Sequence, residues 1–151
     1  MAEVGARTKT IIALHQDMHD AFNDRDWDRI GERISPACVY IDHARNETAR
    51  GPEECVALYR SWSEAFSDGE IIGGALYDGL EDLSICRFIG RGAQDGPLGP
   101  FPPTGITTDT AFCEFLRFDD EGLVVAGEVY YDQLGLLMQL GHIPDMTEEG
   151  T

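Results

Sequence analysis

The 151-residue sequence predicts an α+β fold, in which a curved antiparallel sheet wraps around N-terminal helices as a cone-shaped α+β barrel with an internal cavity. Three observations predict it. Apolar residues recur at three- and four-residue steps early in the chain and alternate with period two later. The elements run helix, helix, strand, helix and then four strands in a meander, an order that puts helices on one face of an antiparallel sheet. The length and a hydrophobic fraction of 42% suit one domain over residues 1–151, with a core of about 7–141 and an acidic tail at 145–151. A sheet curved around a long helix leaves a conical cavity, where a small-molecule site is expected.

The first helix is expected over Arg7–Phe22, because Ile11, Leu14, His15, Met18 and Phe22 fall on one face. A short helix follows at Asp26–Ile34, with Trp27, Ile30 and Ile34 inward and Pro36 ending it. Cys38–Asp42 is a short β-rich strand. Gly51-Pro52-Glu53-Glu54 opens a third helix, since proline suits the first helical position and the glutamates complement the positive end of the dipole. Cys55, Leu58, Tyr59, Trp62 and Phe66 line its face, and Ser67-Asp68-Gly69 closes it. Strands are expected at Ile71–Asp78 and Glu81–Gly90, with Asp78-Gly79 as the turn between them. Residues 90–105 form a loop with four of the seven prolines. Thr107–Phe118 and Leu123–Asp132 are the last strands, and Leu134, Leu137, Met138 and Leu140 mark a terminal helical turn capped by Gly141.

Composition excludes several classes of function. Eleven Lys and Arg against 28 Asp and Glu give a net charge of −17, which repels nucleic acid and anionic membrane surfaces alike. Cys38, Cys55, Cys86 and Cys113 form no CxxC pair, no apolar segment follows MAEVGARTKT as in a signal peptide, and no run is long enough to span a membrane. A reduced, cytoplasmic protein is expected, in which the sequon Asn46-Glu47-Thr48 has no role. There is no GxSxG elbow and no Walker A loop, and Gly90-Arg91-Gly92 leads into prolines rather than a helix.

Candidate chemistry lies in the last two strands and the first helix. Glu128, Tyr130 and Asp132 share one face of the last strand, opposite Val125, Val129 and Tyr131. If that face turns inward, apolar walls tune the carboxylates for proton transfer at carbon; if outward, they are solvated. Glu114 shares parity with Phe112, Leu116 and Phe118, so it is either a buried carboxylate with a function or an edge residue paired with Arg117 or Arg87. His15 and His19 stand one helical turn apart, a metal-ligand spacing, but no third ligand is implied and no metal is expected. Asp42-His43 ends the first strand.

Four stretches together resemble the SnoaL-like polyketide cyclases of the nuclear-transport-factor-two-like superfamily. They are Tyr40-Ile41-Asp42-His43 with Gly51-Pro52-Glu53, Phe66-Ser67-Asp68, Pro102-Pro103-Thr104-Gly105, and Tyr131-Asp132 followed by Leu134-Gly135-Leu136-Leu137-Met138-Gln139-Leu140-Gly141. The resemblance spans about residues 10–141 and implies a cofactor-free enzyme that closes a ring in an aromatic polyketide by intramolecular aldol chemistry. It implies Asp132 as the acid/base, with Glu128 as the alternative, and His19, Tyr40, His43, Trp62, Glu114 and Tyr130 as residues that bind the hydrophobic substrate. It also implies a homodimer or homotetramer. Other chemistries known on this fold are an epoxide hydrolase, which needs an arginine such as Arg87 or Arg117 beside Asp132, a ketosteroid-isomerase-like enzyme, and a non-catalytic small-molecule-binding or dimerisation module.

Overall fold

The computed structural model of the protein describes residues 5–146. The part of the expected acidic tail beyond residue 146 lies outside the described residues. Helix α1 (Ala6–Asn23) buries Ile11, His15, Met18 and Phe22 on the stripe that their spacing requires. Asp26 accepts a hydrogen bond from the Arg29 amide at 3.2 Å and so caps α2 (Trp27–Glu32). The second helix is shorter than expected. Ile34 is the first residue of β1 (Ile34–Asp42), buried and paired with Val124. Pro36 lies inside this strand, where the register shifts between Ile34 and Val39; lacking an N–H, proline is tolerated where the ladder is already broken.

A short strand that the sequence did not announce, β2 (Glu47–Arg50), turns back on β1 and leads into α3 (Gly51–Ala65), which carries proline in its first turn. Then come β3 (Glu70–Ile71), β4 (Leu76–Leu80), β5 (Leu83–Ala93), β6 (Thr107–Phe118) and β7 (Val124–Tyr131), and α4 (Gln133–Gln139) closes the described chain. The expected turn at Asp78-Gly79 falls three residues later, at Glu81-Asp82, with Glu81 at φ 56° as a tight hairpin demands. Gly79 is instead a strand residue pressed against α1. A Cβ there would lie 2.6 Å from the Leu83 carbonyl oxygen and 2.8 Å from the Thr8 methyl.

The strands form one curved, unclosed sheet in the order β2-β1-β7-β6-β5-β3, with β4 also paired to β5. All pairings are antiparallel except β1 with β7, so the sheet is mixed where a purely antiparallel one was expected. α1 packs on β4 and β5, α3 packs on β1 and β2, and the main core lies between them and the sheet. A second, smaller core joins Ala65 and Phe66 to Leu98 and α4. Gln94, fully buried, fixes the proline-rich loop beside it. Its amide donates to the carbonyls of Gly96, Phe101 and Pro102 and its oxygen accepts from His142 at 2.7 Å. Among the described residues no helix is long and apolar enough to cross a membrane.

Candidate functional site

Strand alternation builds the site. β6 turns Thr108, Thr110, Phe112 and Glu114 inward, β1 turns Tyr40 and Asp42 inward, and β7 adds Val129. With Phe22 and His19 of α1, Leu58, Tyr59 and Trp62 of α3, and Phe88 of β5, they enclose a largely apolar cavity. It holds about 790 Å³ of empty space when its open mouth is included, of which a small part lies deep between the side chains. Asp42 and Glu114 both pair in register with Val129, one from each side, so their backbones stand about two strand spacings, ~10 Å, apart.

Glu114 is the centre of a buried polar cluster. Its Oε1 accepts from His15 Nε2 at 2.8 Å and from His19 Nε2 at 2.9 Å. Its Oε2 accepts from the Tyr59 hydroxyl at 2.9 Å and, by a short bond, from Tyr40. Because a carboxylate only accepts, both Nε2 atoms must carry the proton; the hydroxyls of Ser84 and Tyr77 lie 2.8 Å from the two Nδ1 atoms and can donate to them. Burial alone would raise the Glu114 pKa. The hydrogen bonds from His15 and His19 outweigh it and hold the carboxyl well below the usual carboxylate range. Burial also keeps His15 below its ordinary value against the pull of Glu114, and burial with the nearby carboxylate charge pushes the Tyr40 and Tyr59 phenols up. The result is a buried anion ringed by four hydrogen-bond donors.

Tyr40 reaches Glu114 because Gly127 lies beneath it on β7; a Cβ there would collide with the Tyr40 ring. His15, His19 and Glu114 are also the described residues that could hold a metal ion, with ligand atoms within 4.8 Å of one another. As arranged, both Nε2 protons point at Glu114. Metal binding would require both imidazoles to change tautomer, with Ser84 and Tyr77 accepting instead.

Asp42 is the second buried carboxylate of the wall, with no exposed surface. Oδ1 accepts from the Arg45 amide at 3.0 Å, and Oδ2 accepts from Arg45 Nε at 3.1 Å and from the Tyr131 hydroxyl at 3.0 Å. The Arg45 guanidinium lies 4.8 Å over the Trp62 ring and is itself mostly buried.

Of the residues expected from sequence, His19, Tyr40, Trp62 and Glu114 meet in the cavity wall. His43, Glu128 and Tyr130 also come together, but on the outer face of the sheet. His43 stacks on Tyr130 at 4.3 Å and lies 3.2 Å from Glu128, whose side chain is 43% exposed. Asp132 lies outside the cavity as well, where it accepts from the Gly135 amide at 2.9 Å and caps α4. The physical reason is the choice of face: Val129 and Tyr131 take the inner side of β7, which leaves Glu128 and Tyr130 outside. Arg117 pairs with Asp82 and Arg87 is exposed, so neither accompanies Asp132. Tyr59, Tyr131 and Arg45 were not expected as site residues, and His15 and Asp42 were candidates only through the His15–His19 spacing and the end of the first strand. Asp42 shares parity with Cys38 and Tyr40, Tyr59 stands on the α3 stripe and His15 on the α1 stripe, so each carried a signal of burial. Arg45, in a turn, carried none.

A sheet curled over helices around an apolar cavity with two buried carboxylates has the nuclear-transport-factor-two-like fold. The SnoaL-like polyketide cyclase model matches residues 13–140, and the chain belongs to that family. Similar solved structures include a SnoaL-like polyketide cyclase candidate from Jannaschia sp. CCS1 (21% identity, TM-score 0.85, covering 95% of this chain and 100% of that one). AclR, a hydroxylase candidate from Streptomyces galilaeus, is 25% identical with a TM-score of 0.77 over 93% of this chain and 87% of that one. IdmH, a polyketide cyclase candidate from Streptomyces antibioticus, is 22% identical with a TM-score of 0.72 over 89% and 99%. No curated protein matches the chain.

Proposed function

We propose that the chain is an acid/base enzyme that moves a proton at a carbon next to a carbonyl in a hydrophobic substrate, as in intramolecular aldol ring closure, with Asp42 as the base. The observation that carries this reading is the difference between the two wall carboxylates. A carboxylate offers about four acceptor sites. Glu114 has all four occupied, whereas Asp42 accepts three hydrogen bonds and keeps one site on Oδ1 free. A base needs a free lone pair within reach of the proton it takes.

The Arg45 amide on Oδ1, and Arg45 Nε and the Tyr131 hydroxyl on Oδ2, fix the orientation of Asp42. The carboxylate takes the proton from the carbon and becomes a carboxylic acid, while the carbon's electron pair passes into the enolate. The enolate carbon attacks a second carbonyl of the same molecule, and the acid returns its proton to the new alkoxide. Holding both carbons together in the apolar cavity lowers the entropy cost of their encounter.

The test is deuterium exchange at the α-carbon of 2-tetralone in D2O, followed by NMR. Asp42→Asn lowers the catalysed exchange by about 100-fold or more, the scale of a general base, while 2-tetralone still binds. An Asp42→Asn variant that exchanges at the wild-type rate would refute the assignment.

A further inference from the structure

We propose that the inner end of the cavity is a binding site for an organic ammonium group, with Glu114 supplying the opposite charge and Tyr40, Tyr59, Trp62 and Phe112 the walls. This goes beyond the proton-transfer reading and does not depend on Asp42.

The first observation is a buried carboxylate with no lysine or arginine beside it. Glu114 is 1% exposed, and its only ion-pair partners among the described residues are the imidazoles of His15 and His19. No lysine lines the cavity, and the one lining arginine, Arg91, is half exposed and committed to Asp109 by bonds of 2.7 and 2.8 Å. Asp42, by contrast, has its own cation in Arg45. None of the four donors to Glu114 is a lysine or an arginine, and a charge in an apolar wall favours an opposite charge placed beside it.

The second observation is what those donors leave available. With its acceptor sites filled, Glu114 cannot receive further hydrogen bonds. A primary ammonium, with three protons to place, would leave them unpaired. A quaternary or trialkyl ammonium has none or one, and needs only field and contact. The walls provide the contact. Tyr40 and Tyr59, whose hydroxyls hold Glu114, lie 5.5 Å apart at 56°, and Trp62 and Phe112 lie 5.3 Å apart at 86°, so the cavity that Glu114 lines is walled by four aromatic rings. Aromatic faces attract such cations, most strongly where water is excluded. The net charge of −17 adds a long-range field that draws cations toward the molecule.

The ammonium also bears on the chemistry. An enolate forming in this cavity would be repelled by Glu114, and a cationic group on the same substrate would offset that repulsion.

The experiment compares choline with its uncharged carbon isostere, 3,3-dimethyl-1-butanol, by NMR titration of the full chain at pH 8.5 with EDTA present. Choline binds the wild type tighter by about tenfold or more. Glu114→Gln brings the two ligands to within about twofold of each other, because it keeps the shape and removes the charge. Should that variant not fold, Phe112→Leu serves instead: it weakens choline by about fivefold or more while the alcohol changes little. Asp42→Asn, which removes the exchange reaction, retains the preference for choline, so the two readings fail separately. Equal or tighter binding of the alcohol by wild type, no binding of choline, or a choline preference that survives Glu114→Gln overturns the proposal.

Discussion

Replacing Tyr59 by phenylalanine tests whether Glu114 is the anion that organises the site. The substitution keeps the ring and its packing on α3 and removes one donor, the hydroxyl 2.9 Å from Glu114 Oε2. Tyr40 still holds the same oxygen, and His15 and His19 still hold the other. A hydrogen bond to a charged group contributes about 1.5–3 kcal/mol, against about 1 kcal/mol for a neutral pair. For a chain of this size each kcal/mol moves the melting temperature by about 2–4 °C, so the variant should melt about 3–12 °C lower. Urea unfolding at a series of pH values is the assay. Glu114 has a folded pKa below its unfolded one, so its contribution is fully present above the unfolded value and is lost as pH falls through the folded value. The gap between wild type and Tyr59→Phe is therefore flat from about pH 8 to 5 and narrows only below about pH 4.5. A cost under about 0.5 kcal/mol at pH 7.5 would show that the hydroxyl is not bonded to an anion, and the charge placed at Glu114 would fall with it.

Three further outcomes follow from the same geometry. His15 is buried with its pKa held down by that burial, so the unfolded chain takes up a proton there that the folded chain refuses; stability declines as pH falls below about 6.5, and His15→Gln flattens that part of the urea-unfolding profile. Gly127→Ala places a methyl group against the Tyr40 ring and lowers stability by about 1–3 kcal/mol by thermal melting, with Tyr40→Leu relieving the clash in the double variant; simple additivity of the two would refute it. Asp132→Ala removes the cap of α4 and costs about 1 kcal/mol by thermal melting but leaves 2-tetralone exchange within about twofold of wild type, whereas a 100-fold loss would return the acid/base role to Asp132.

Much of the fold was legible because the elements are set by local periodicity. The stripe of α1, the proline and glutamates that open α3, and the alternation of β6 specify their structure from nearest neighbours along the chain. The misplacements fall where a distant partner decides. Asp78-Gly79 has the composition of a turn, yet Gly79 is needed for the strand to pass close to Thr8 of α1, 71 residues away in sequence. Pro36 reads as a helix stop, yet Ile34 is drawn out of the helix by pairing with Val124 near the other end of the chain. The parallel pairing of β1 with β7 is likewise a long-range choice with no local signature.

The site separates the same way. Glu114 was marked by alternation alone, since a carboxylate among Phe112, Leu116 and Phe118 must be paired or functional, and the structure supplies four partners from three elements. The sequence could not say which partners, because α1, β1 and α3 come together on β6 only in the folded chain. For β7 the alternation was equally clear but symmetric. Each face carried apolar or aromatic residues, and period two groups residues without saying which group is inside. The turn of the chain into α4 shows why acidic residues there are poor guides to a cavity. Asp132 stands where a helix must be capped, and a carboxylate at that point is explained by four unpaired amides before any chemistry is invoked. Asp42 has no such local explanation. It is a charge with no exposed surface at the end of a strand whose other inward residues are Cys38 and Tyr40, and the chain places an arginine three residues later to accompany it. An acidic residue held in an apolar wall against its desolvation cost, with a cation arranged to keep it there, is a stronger mark of function than an acidic residue in a family motif that also caps a helix.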